Sequence, residues 1–408
     1  MSHDVGSVSR KLRLFVVAGE HSGDALGAKL ITALQSRLGL SGVEFSGVGG
    51  EEMAAQGMVS IFPIEDVAVM GPMSILPRLP RIVRRVYQTV DAALAWKADA
   101  IIIIDSPEFT HPIAKRIRRR APHIPIIDYV SPSVWAWRPG RARKMRGYVD
   151  HVLALLPFEP EAHKRLGGPD CTYVGHTLLE RAEEIRTADG SSLGRALGLS
   201  EDRPVLLVLP GSRRSEVDRL IDVFGDAVSL LAARGYDFTV VIPAVRHVKP
   251  IIAERTATWG PQTILLDSAA DKYRAMRLAR AALAASGTVT LELALAGTPT
   301  VVAYKVDAVM ARLRFLLKVP SVVLANLVLG RNVYPECLQD ECTADNLANA
   351  LEPLLADTAT RRKQIDMLAE IPNRMAVPGG RPSEAAADVV LSVVQNYADG
   401  NSRRGGPT

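Results

Sequence analysis

Asp105 closes the apolar run 98–104 and is followed by Ser106-Pro107-Glu108-Phe109-Thr110. If that run is a strand of a parallel sheet, the carboxylate stands at its carboxyl end, the edge where open α/β sheets bind ligands. There it can act as a general base; the plainer alternative is the cap of the next helix. A second chemical stretch, residues 283–303, reads as strand, turn, helix and strand in immediate succession. Its turn, Ser286-Gly287-Thr288, sets backbone N–H groups and hydroxyls at a helix start, which favours phosphate. Glu292, one helical turn further on, can accept hydrogen bonds from a ribose but would repel a diphosphate. A βα turn merely capped by Ser or Thr would have the same composition. Arg213, in Pro210-Gly211-Ser212-Arg213, puts a basic residue at another helix start and makes a second anion-friendly terminus on the same edge.

Three further stretches carry functional residue types. Gly19-Glu20-His21-Ser22-Gly23-Asp24 follows the apolar run 12–17. Its acids argue against phosphate, so Glu20 and Ser22 read as lining a cleft near sugar hydroxyls, with a structural turn as the alternative. Trp135, Trp137 and Arg138, at the end of Tyr129-Val-Ser-Pro-Ser-Val-Trp-Ala-Trp-Arg, offer a platform for a sugar or acyl chain plus an anion contact. Segment 67–85 mixes Met70, Met73, Ile75 and Leu76 with Pro breaks and then Arg78 and Arg81. Apolar side chains beside a cationic row suit a surface that dips into a lipid interface or receives acyl chains. A helix packed on the core through one stripe is the competing reading.

The elements that must hold these residues alternate along the whole chain. Apolar runs at 12–17, 43–48, 98–104, 125–130, 151–155 and 171–174 read as strands, as do 204–209, 238–242, 263–266, 281–285 and 300–303. Near-continuous apolar strands are expected where both faces of a parallel sheet are covered. The fold class is therefore α/β, with two facing Rossmann-like doubly wound domains and a cleft between them. The stretch 184–200, charged and then Gly/Ser-rich, marks the boundary. Helices are expected near 308–317, within 344–370 and near 383–397, the last of them free to cross back onto the first domain. The tail after 397 should be disordered.

With 408 residues, 48 % of them hydrophobic, the chain can bury a large core. Its charge of +5 is concentrated in three first-half clusters: Arg78 to Arg85, Lys115 to Arg120, and Arg138 to Arg146. Such clusters suit an anionic partner, either nucleic acid or a membrane surface, although the run 115–120 by itself reads as a solvated helix face. Cys171, Cys337 and Cys342 give neither a disulfide framework nor a zinc spacing, which points to a reducing compartment. No run approaches the ~20 apolar residues that span a bilayer, so a cytoplasmic protein, at most peripheral to a membrane, is expected.

Nine pieces then occur in a telling order: Ala18-Gly-Glu-His-Ser-Gly-Asp, Gly47-Val-Gly-Gly, Val69-Met-Gly, Ile104-Asp-Ser-Pro-Glu-Phe, the run Tyr129 to Arg138, Leu156-Pro-Phe-Glu, Val174-Gly-His-Thr, Leu209-Pro-Gly-Ser-Arg, and Ala285-Ser-Gly-Thr with Leu291-Glu. Over roughly residues 11–395 the chain resembles the lipid-A-disaccharide synthases, inverting glycosyltransferases of GT-B-like architecture. The Trp-rich run and the Gly-Glu-x-Ser-Gly-Asp loop are the specific signatures; the Ser-Gly-Thr turn is shared by many nucleotide-sugar enzymes. The resemblance implies transfer of 2,3-diacylglucosamine from UDP-2,3-diacylglucosamine to 2,3-diacylglucosamine 1-phosphate, giving the β(1→6) disaccharide of lipid A and UDP. By it Asp105 matches the essential acid, Arg213 the diphosphate-side arginine, Glu292 the ribose-side glutamate, and Asn326 and Gln339 polar groups near the nucleotide. Residues 1–190 would form the acceptor- and membrane-facing domain, completed by helix 378–397, with 191–377 the UDP-sugar-binding domain and 398–408 a disordered tail. The place implied is the cytoplasmic face of the inner membrane of a Gram-negative bacterium, on its anionic surface, with no nucleic acid and with a homodimer left open. No cofactor is expected, and no Asp-x-Asp pair calls for an obligatory Mg²⁺.

The chain departs from the family pattern in places: Ala325 stands where Pro often precedes the Asn, Glu108 and Thr110 follow Asp105 where Asp and Asn are frequent, and His21 occupies a variable place. These touch fine positioning rather than the reaction. Two other readings remain open to the residues. A UDP-sugar 2-epimerase shares the two-domain plan but has no use for the Trp-rich loop or the apolar 67–80 segment. A non-enzymatic membrane or nucleic-acid binder would use the Arg clusters, but no nucleic-acid module is present.

Overall fold

The computed structural model describes residues 10–68, 78–267, 271–306 and 319–404, with side chains up to residue 400. Met70, Met73, Ile75 and Leu76, and the helix expected at 308–317, lie outside the described residues. The chain divides into two compact units, Met1–Thr177 with Val377–Thr408, and Leu178–Ala376.

The first unit runs β1 (Leu12–Ala18), α1 (His21–Leu38), β2 (Val43–Val48), α2 (Glu51–Ala55), β3 (Val59–Ser60), α3 (Leu79–Ala95), β4 (Ala100–Ile104), α4 (Pro107–Arg120), β5 (Ile126–Tyr129), α5 (Gly140–Met145), β6 (His151–Ala154), α6 (Glu159–Leu166) and β7 (Asp170–Tyr173). Its seven strands make one sheet in the order β3-β2-β1-β4-β5-β6-β7, all neighbours parallel. Every residue of β4, Ala-Ile-Ile-Ile-Ile, is buried, because a central strand covered on both faces has no solvent side to make polar. Helix α3 is buried along one side and exposed along another. Val86, Thr89, Val90 and Ala93 pack inward, while Leu79, Val83 and Tyr87, spaced four apart, are 48 %, 45 % and 51 % exposed.

The second unit runs α7 (Ala182–Thr187), α8 (Gly190–Ala196), β8 (Val205–Leu209), α9 (Arg214–Ala233), β9 (Thr239–Pro243), α10 (Lys249–Thr256), β10 (Thr263–Leu266), α11 (Asp271–Leu278), β11 (Ala281–Ala285), α12 (Val289–Ala296), β12 (Thr300–Tyr304), α13 (Leu324–Leu329), β13 (Glu336–Leu338), α14 (Ala344–Leu355), α15 (Ala359–Leu368) and α16 (Ile371–Arg374). Its sheet has the order β10-β9-β8-β11-β12-β13, again parallel throughout. The division at Thr177 precedes the 184–200 stretch that composition marks. The reason is packing: Arg274 of α11 donates to the Asp189 carbonyl and to Ser192, and a Cβ on Gly190 would stand 2.6 Å from the Leu278 nitrogen.

The last helix, α17 (Pro382–Arg404), returns to the first unit. Ala386, Ala387 and Val390 are fully buried there, Arg37 of α1 pairs with Asp388 and Glu384, and the Tyr397 hydroxyl donates to Asp150. The helix continues through residues 398–404, where a disordered tail was expected, because propagation from a docked helix costs far less than nucleation.

Candidate active site

The edge of the first unit formed by the carboxyl ends of β1, β4 and β5 carries Asp105. It is not the cap of α4: that position belongs to Ser106, whose side chain makes no capping bond. Asp105 and Ser106 are consecutive left-handed residues, φ 51° and 44°. Such conformations cost L-residues about 1–3 kcal/mol each and persist only where the surroundings over-determine them. Three contacts do so here. The Asp105 N–H donates to the Tyr129 carbonyl (3.0 Å), the Thr110 hydroxyl donates to the carbonyls of Asp105 (2.8 Å) and Ser106 (3.1 Å), and Gly19 after β1 leaves room for Ser106, whose Cβ would lie 2.6 Å from a Cβ there. One oxygen of the Asp105 carboxylate accepts from the Ser106 N–H at 2.8 Å; among the described residues nothing hydrogen-bonds to the other. Burial, and to a smaller extent the charge of Asp128, raises this carboxyl above its ordinary value, while the Ser106 bond opposes the rise. An open, half-buried carboxylate with raised basicity is what proton abstraction from a hydroxyl needs.

The Trp-rich loop is held from beneath by α6. The Trp135 indole N–H donates to Glu159 (3.0 Å), whose other oxygen accepts from the Leu156 N–H (2.9 Å), and the Ser131 hydroxyl lies 2.8 Å from His163 Nε2. Trp135 meets Phe158 edge-on with ring centres 5.0 Å apart. Burial pushes Glu159 up to about 7, and burial lowers His163. Trp137 and Arg138 stack on each other at 4.3 Å, Arg138 being left-handed and exposed. In the first loop Glu20 is the N-cap residue of α1, without a capping bond, and Ser22 is exposed. Asp24 is spent on structure: it is buried and accepts from the N–H groups of Gly50, Glu52 and Met53, capping α2. The structural role that this loop carries thus falls to Asp24, while Glu20 and Ser22 stand at the start of α1.

Arg78 and Arg81 lie at the exposed start of α3, Arg81 3.3 Å from Asp66. The run 115–120 is largely consumed within the unit, with Arg116 over the Tyr87 ring, Arg118 paired with Asp150 and Arg120 with Asp91.

The second unit presents its own carboxyl edge, where the ends of β8, β11, β12 and β13 collect Arg213, Ser286, Gly287, Thr288, Glu292 and Gln339. Gly287 has φ 150°, which favours glycine, and both Gly287 and Thr288 are exposed at the start of α12. The hydroxyls do not cap that helix. Thr288 makes no capping bond, and Ser286 donates to the Val322 carbonyl at 2.9 Å. Glu292 is gripped by Lys272, 2.7 and 2.8 Å from its two oxygens, and by the Tyr273 hydroxyl at 3.1 Å. Arg213 pairs with Glu216 at 3.0 Å, and the same carboxylate accepts from the N–H groups of Ser212 and Arg213. Gln339, left-handed at φ 51°, accepts from the Val306 N–H.

Asn326 differs from the rest of that set. It is 1 % exposed, donates to the Tyr334 carbonyl and Glu336, and accepts from the N–H groups of Val333 and Tyr334. Its polar atoms are engaged in holding the loop 333–336, which makes it a support of the edge. Residues that motif reading missed include Glu159, His163, Lys272, Glu216 and the buried group Asp128, His111 and Tyr148. One signal was available, a lone acid inside the apolar strand Ile-Ile-Asp-Tyr.

Two doubly wound parallel-sheet units, each carrying polar residues at its carboxyl edge, are the GT-B class of architecture. Solved structures share this fold. UDP-GlcNAc 2-epimerase from Neisseria meningitidis aligns with TM-score 0.64 at 14 % identity, covering 93 % of this chain and 100 % of that one. MurG from Acinetobacter baumannii aligns with TM-score 0.59 at 15 % identity, covering 93 % and 99 %. At such identity these likenesses speak for the fold alone. The model of the lipid-A-disaccharide synthetase family matches residues 14–385, and the chain belongs to that family. It is 50 % identical over 386 residues to the lipid-A-disaccharide synthase of Rhodopseudomonas palustris strain HaA2, covering 94 % of this chain and 97 % of the relative. It is also 50 % identical over 393 residues to that of Nitrobacter winogradskyi, covering 96 % and 98 %.

Proposed function

We propose that the chain joins UDP-2,3-diacylglucosamine to 2,3-diacylglucosamine 1-phosphate in a single inverting displacement, forming the β(1→6) disaccharide of lipid A. The observation that carries this reading is Asp105, an open carboxylate with raised basicity at the end of β4 inside a family-matching motif. It takes the proton of the acceptor 6-hydroxyl as that oxygen attacks the anomeric carbon from the face opposite UDP. The C–O bond to the diphosphate breaks as the new glycosidic bond forms, so the configuration inverts. Arg213 and the helix start at Ser286–Thr288 take up the charge that develops on the leaving diphosphate. Glu292 exchanges Lys272 and Tyr273 for ribose hydroxyls, Gln339 contributes beside it, and Asn326 supports them. On the first unit Glu20, Ser22, Trp135, Trp137 and Arg138 line the acceptor side.

The reading also places the protein on the anionic cytoplasmic face of the inner membrane. No helix among the described residues is long and apolar enough to cross a bilayer. The stripe Leu79, Val83 and Tyr87, flanked by Arg78, Arg81 and Arg84, has the composition of an interfacial helix face. Replacing Leu79, Val83 and Tyr87 together by Ser should weaken co-sedimentation with anionic phospholipid vesicles by roughly tenfold without changing UDP binding; undiminished sedimentation removes α3 from the membrane contact. The reaction itself is tested by thin-layer separation of products from the two diacyl substrates. A disaccharide with equimolar UDP supports it. Appearance of the manno epimer from UDP-GlcNAc alone, with no disaccharide, rejects it for the epimerase reading.

A further inference from the structure

Three polar side chains lie buried behind the Asp105 turn, and the displacement described above uses none of them directly. Asp128 of β5 is 1 % exposed and His111 of α4 is 2 % exposed. His111 Nε2 lies 3.2 Å from Asp128 Oδ2, and its Nδ1 lies 2.9 Å from the Tyr148 hydroxyl, whose ring His111 meets edge-on. Burial, with Asp128 adding to it, pushes Tyr148 up to about 12, so that hydroxyl keeps its proton at neutral pH. The His111 ring is thus in hydrogen-bond contact at both nitrogens, with the Tyr148 hydroxyl on one side and the Asp128 carboxylate on the other.

The position of the pair gives it a purpose. β5 carries both Asp128 and, one residue on, the Tyr129 carbonyl that accepts from the Asp105 N–H. α4 begins at Pro107, directly after the turn, and carries both His111 and, one residue earlier, the Thr110 hydroxyl that binds the Asp105 and Ser106 carbonyls. The backbone of the left-handed turn is thus tied on one side to β5 and on the other to α4, and Asp128–His111 is the side-chain bridge between those two elements. A buried carboxylate in an apolar strand is costly unless it is paired, and an apolar pair of similar volume would pack as well, so packing alone does not account for it.

We propose that Asp128 and His111, backed by Tyr148, are positioning residues for the base: they clamp the start of α4 to β5, hold the Asp105–Ser106 turn in its left-handed form and aim the Asp105 carboxylate. This rests on the reading of Asp105 as base. The charge of Asp128 also reaches Asp105 and raises its carboxyl, a smaller effect than burial. The same charge acts on Tyr148, on His163 of α6 and on Cys171 of β7, while Arg141 and Glu108 act on Tyr148 and Lys115 lies over its ring.

The test uses the full chain with Asp128→Asn, His111→Gln, Tyr148→Phe and Asp105→Asn, reading kcat, both KM values, the acid limb of the kcat–pH profile and UDP binding. Asp128→Asn and His111→Gln should lower kcat by about tenfold to a hundredfold, the usual consequence of a misaimed catalytic group, with UDP affinity unchanged. A base works only when ionised, so its rate rises with pH through its pKa; deleting the charge that raises that pKa should move the acid limb of Asp128→Asn to lower pH. A merely structural pair would lower the melting temperature and leave the limb in place. An unmoved limb, or kcat within twofold of the parent in both variants, overturns the proposal. If Asp128→Asn does not fold, Tyr148→Phe decides: a threefold or larger fall in kcat with UDP binding intact supports the clamp, and unchanged kcat overturns it. Asp105→Asn separates the two claims. Normal turnover there defeats the base itself, whereas an inactive Asp105→Asn beside an unimpaired Asp128→Asn defeats only the clamp.

Discussion

The two carboxyl edges solve the same problem in opposite ways. The edge that carries Asp105 is fixed before any ligand arrives: two left-handed residues are held by backbone bonds, by the Thr110 hydroxyl and by the room left at Gly19, and one carboxylate oxygen stays open. On the other edge the two charged groups, Glu292 and Arg213, already have internal partners, Lys272 and Tyr273 for one and Glu216 for the other. A ligand that takes up either of them must replace existing bonds. Preorganised groups suit the developing transition state, whereas exchangeable ones suit a step that must bind and then release. The first edge should therefore govern rate, and the second should govern affinity for the nucleotide.

The sharpest test of that contrast is Asp105→Asn, expected to cut disaccharide formation by about 10³-fold while the dissociation constant for UDP, read by calorimetry, stays within twofold. A large loss of UDP binding would break the contrast at once. Arg213→Ala should lower kcat/KM by about 10²-fold and weaken UDP binding as well, since its guanidinium is read as contacting the diphosphate. Glu292→Gln should weaken UDP by roughly tenfold and leave kcat at saturating donor nearly untouched. A kcat effect as large as that of Asp105→Asn would mean that the second edge takes part in chemistry. The smallest effect concerns how the first edge is held. Because the folded state raises Glu159 from 4.5 to about 7, it binds more protons than the unfolded chain within that window, so its contribution falls as pH rises through it. Urea unfolding between pH 5 and 7 should show the parent losing stability on the order of 3 kcal/mol at most relative to Glu159→Gln, in which the slope disappears.

Much of this was legible in the chain because strands covered on both faces must be apolar, and runs such as Ala-Ile-Ile-Ile-Ile and Val-Leu-Leu-Val-Leu announce themselves. Asp105 was legible for the same reason, as the first polar residue after such a run. Partner choice was not. His111 and Asp128 are 17 residues apart and Trp135 and Glu159 are 24 apart; only the order β4-β5-β6-β7 brings each pair together. Asn326 shows the converse. A polar residue in a motif suggests a ligand contact, yet its carbonyl and amide are engaged by Val333, Tyr334 and Glu336, which no local pattern reveals. The left-handed turn at Asp105 was equally hidden, since nothing in Asp-Ser-Pro demands positive φ.

The return of α17 bears on how the molecule is made. Ala386, Ala387 and Val390 complete the core of the first unit, yet the ribosome adds them only after the whole second unit has been synthesised. Domains of a nascent chain usually finish in order from the amino terminus. Here the amino-terminal unit waits, with the face of α1 that α17 will cover still bare, while the unit encoded in the middle can already close. A chain that ends after Ala376 but before residue 382 has the edge of Arg213 and Glu292 built while the edge of Asp105 rests on an unfinished core, with the apolar surface that α17 would cover left bare.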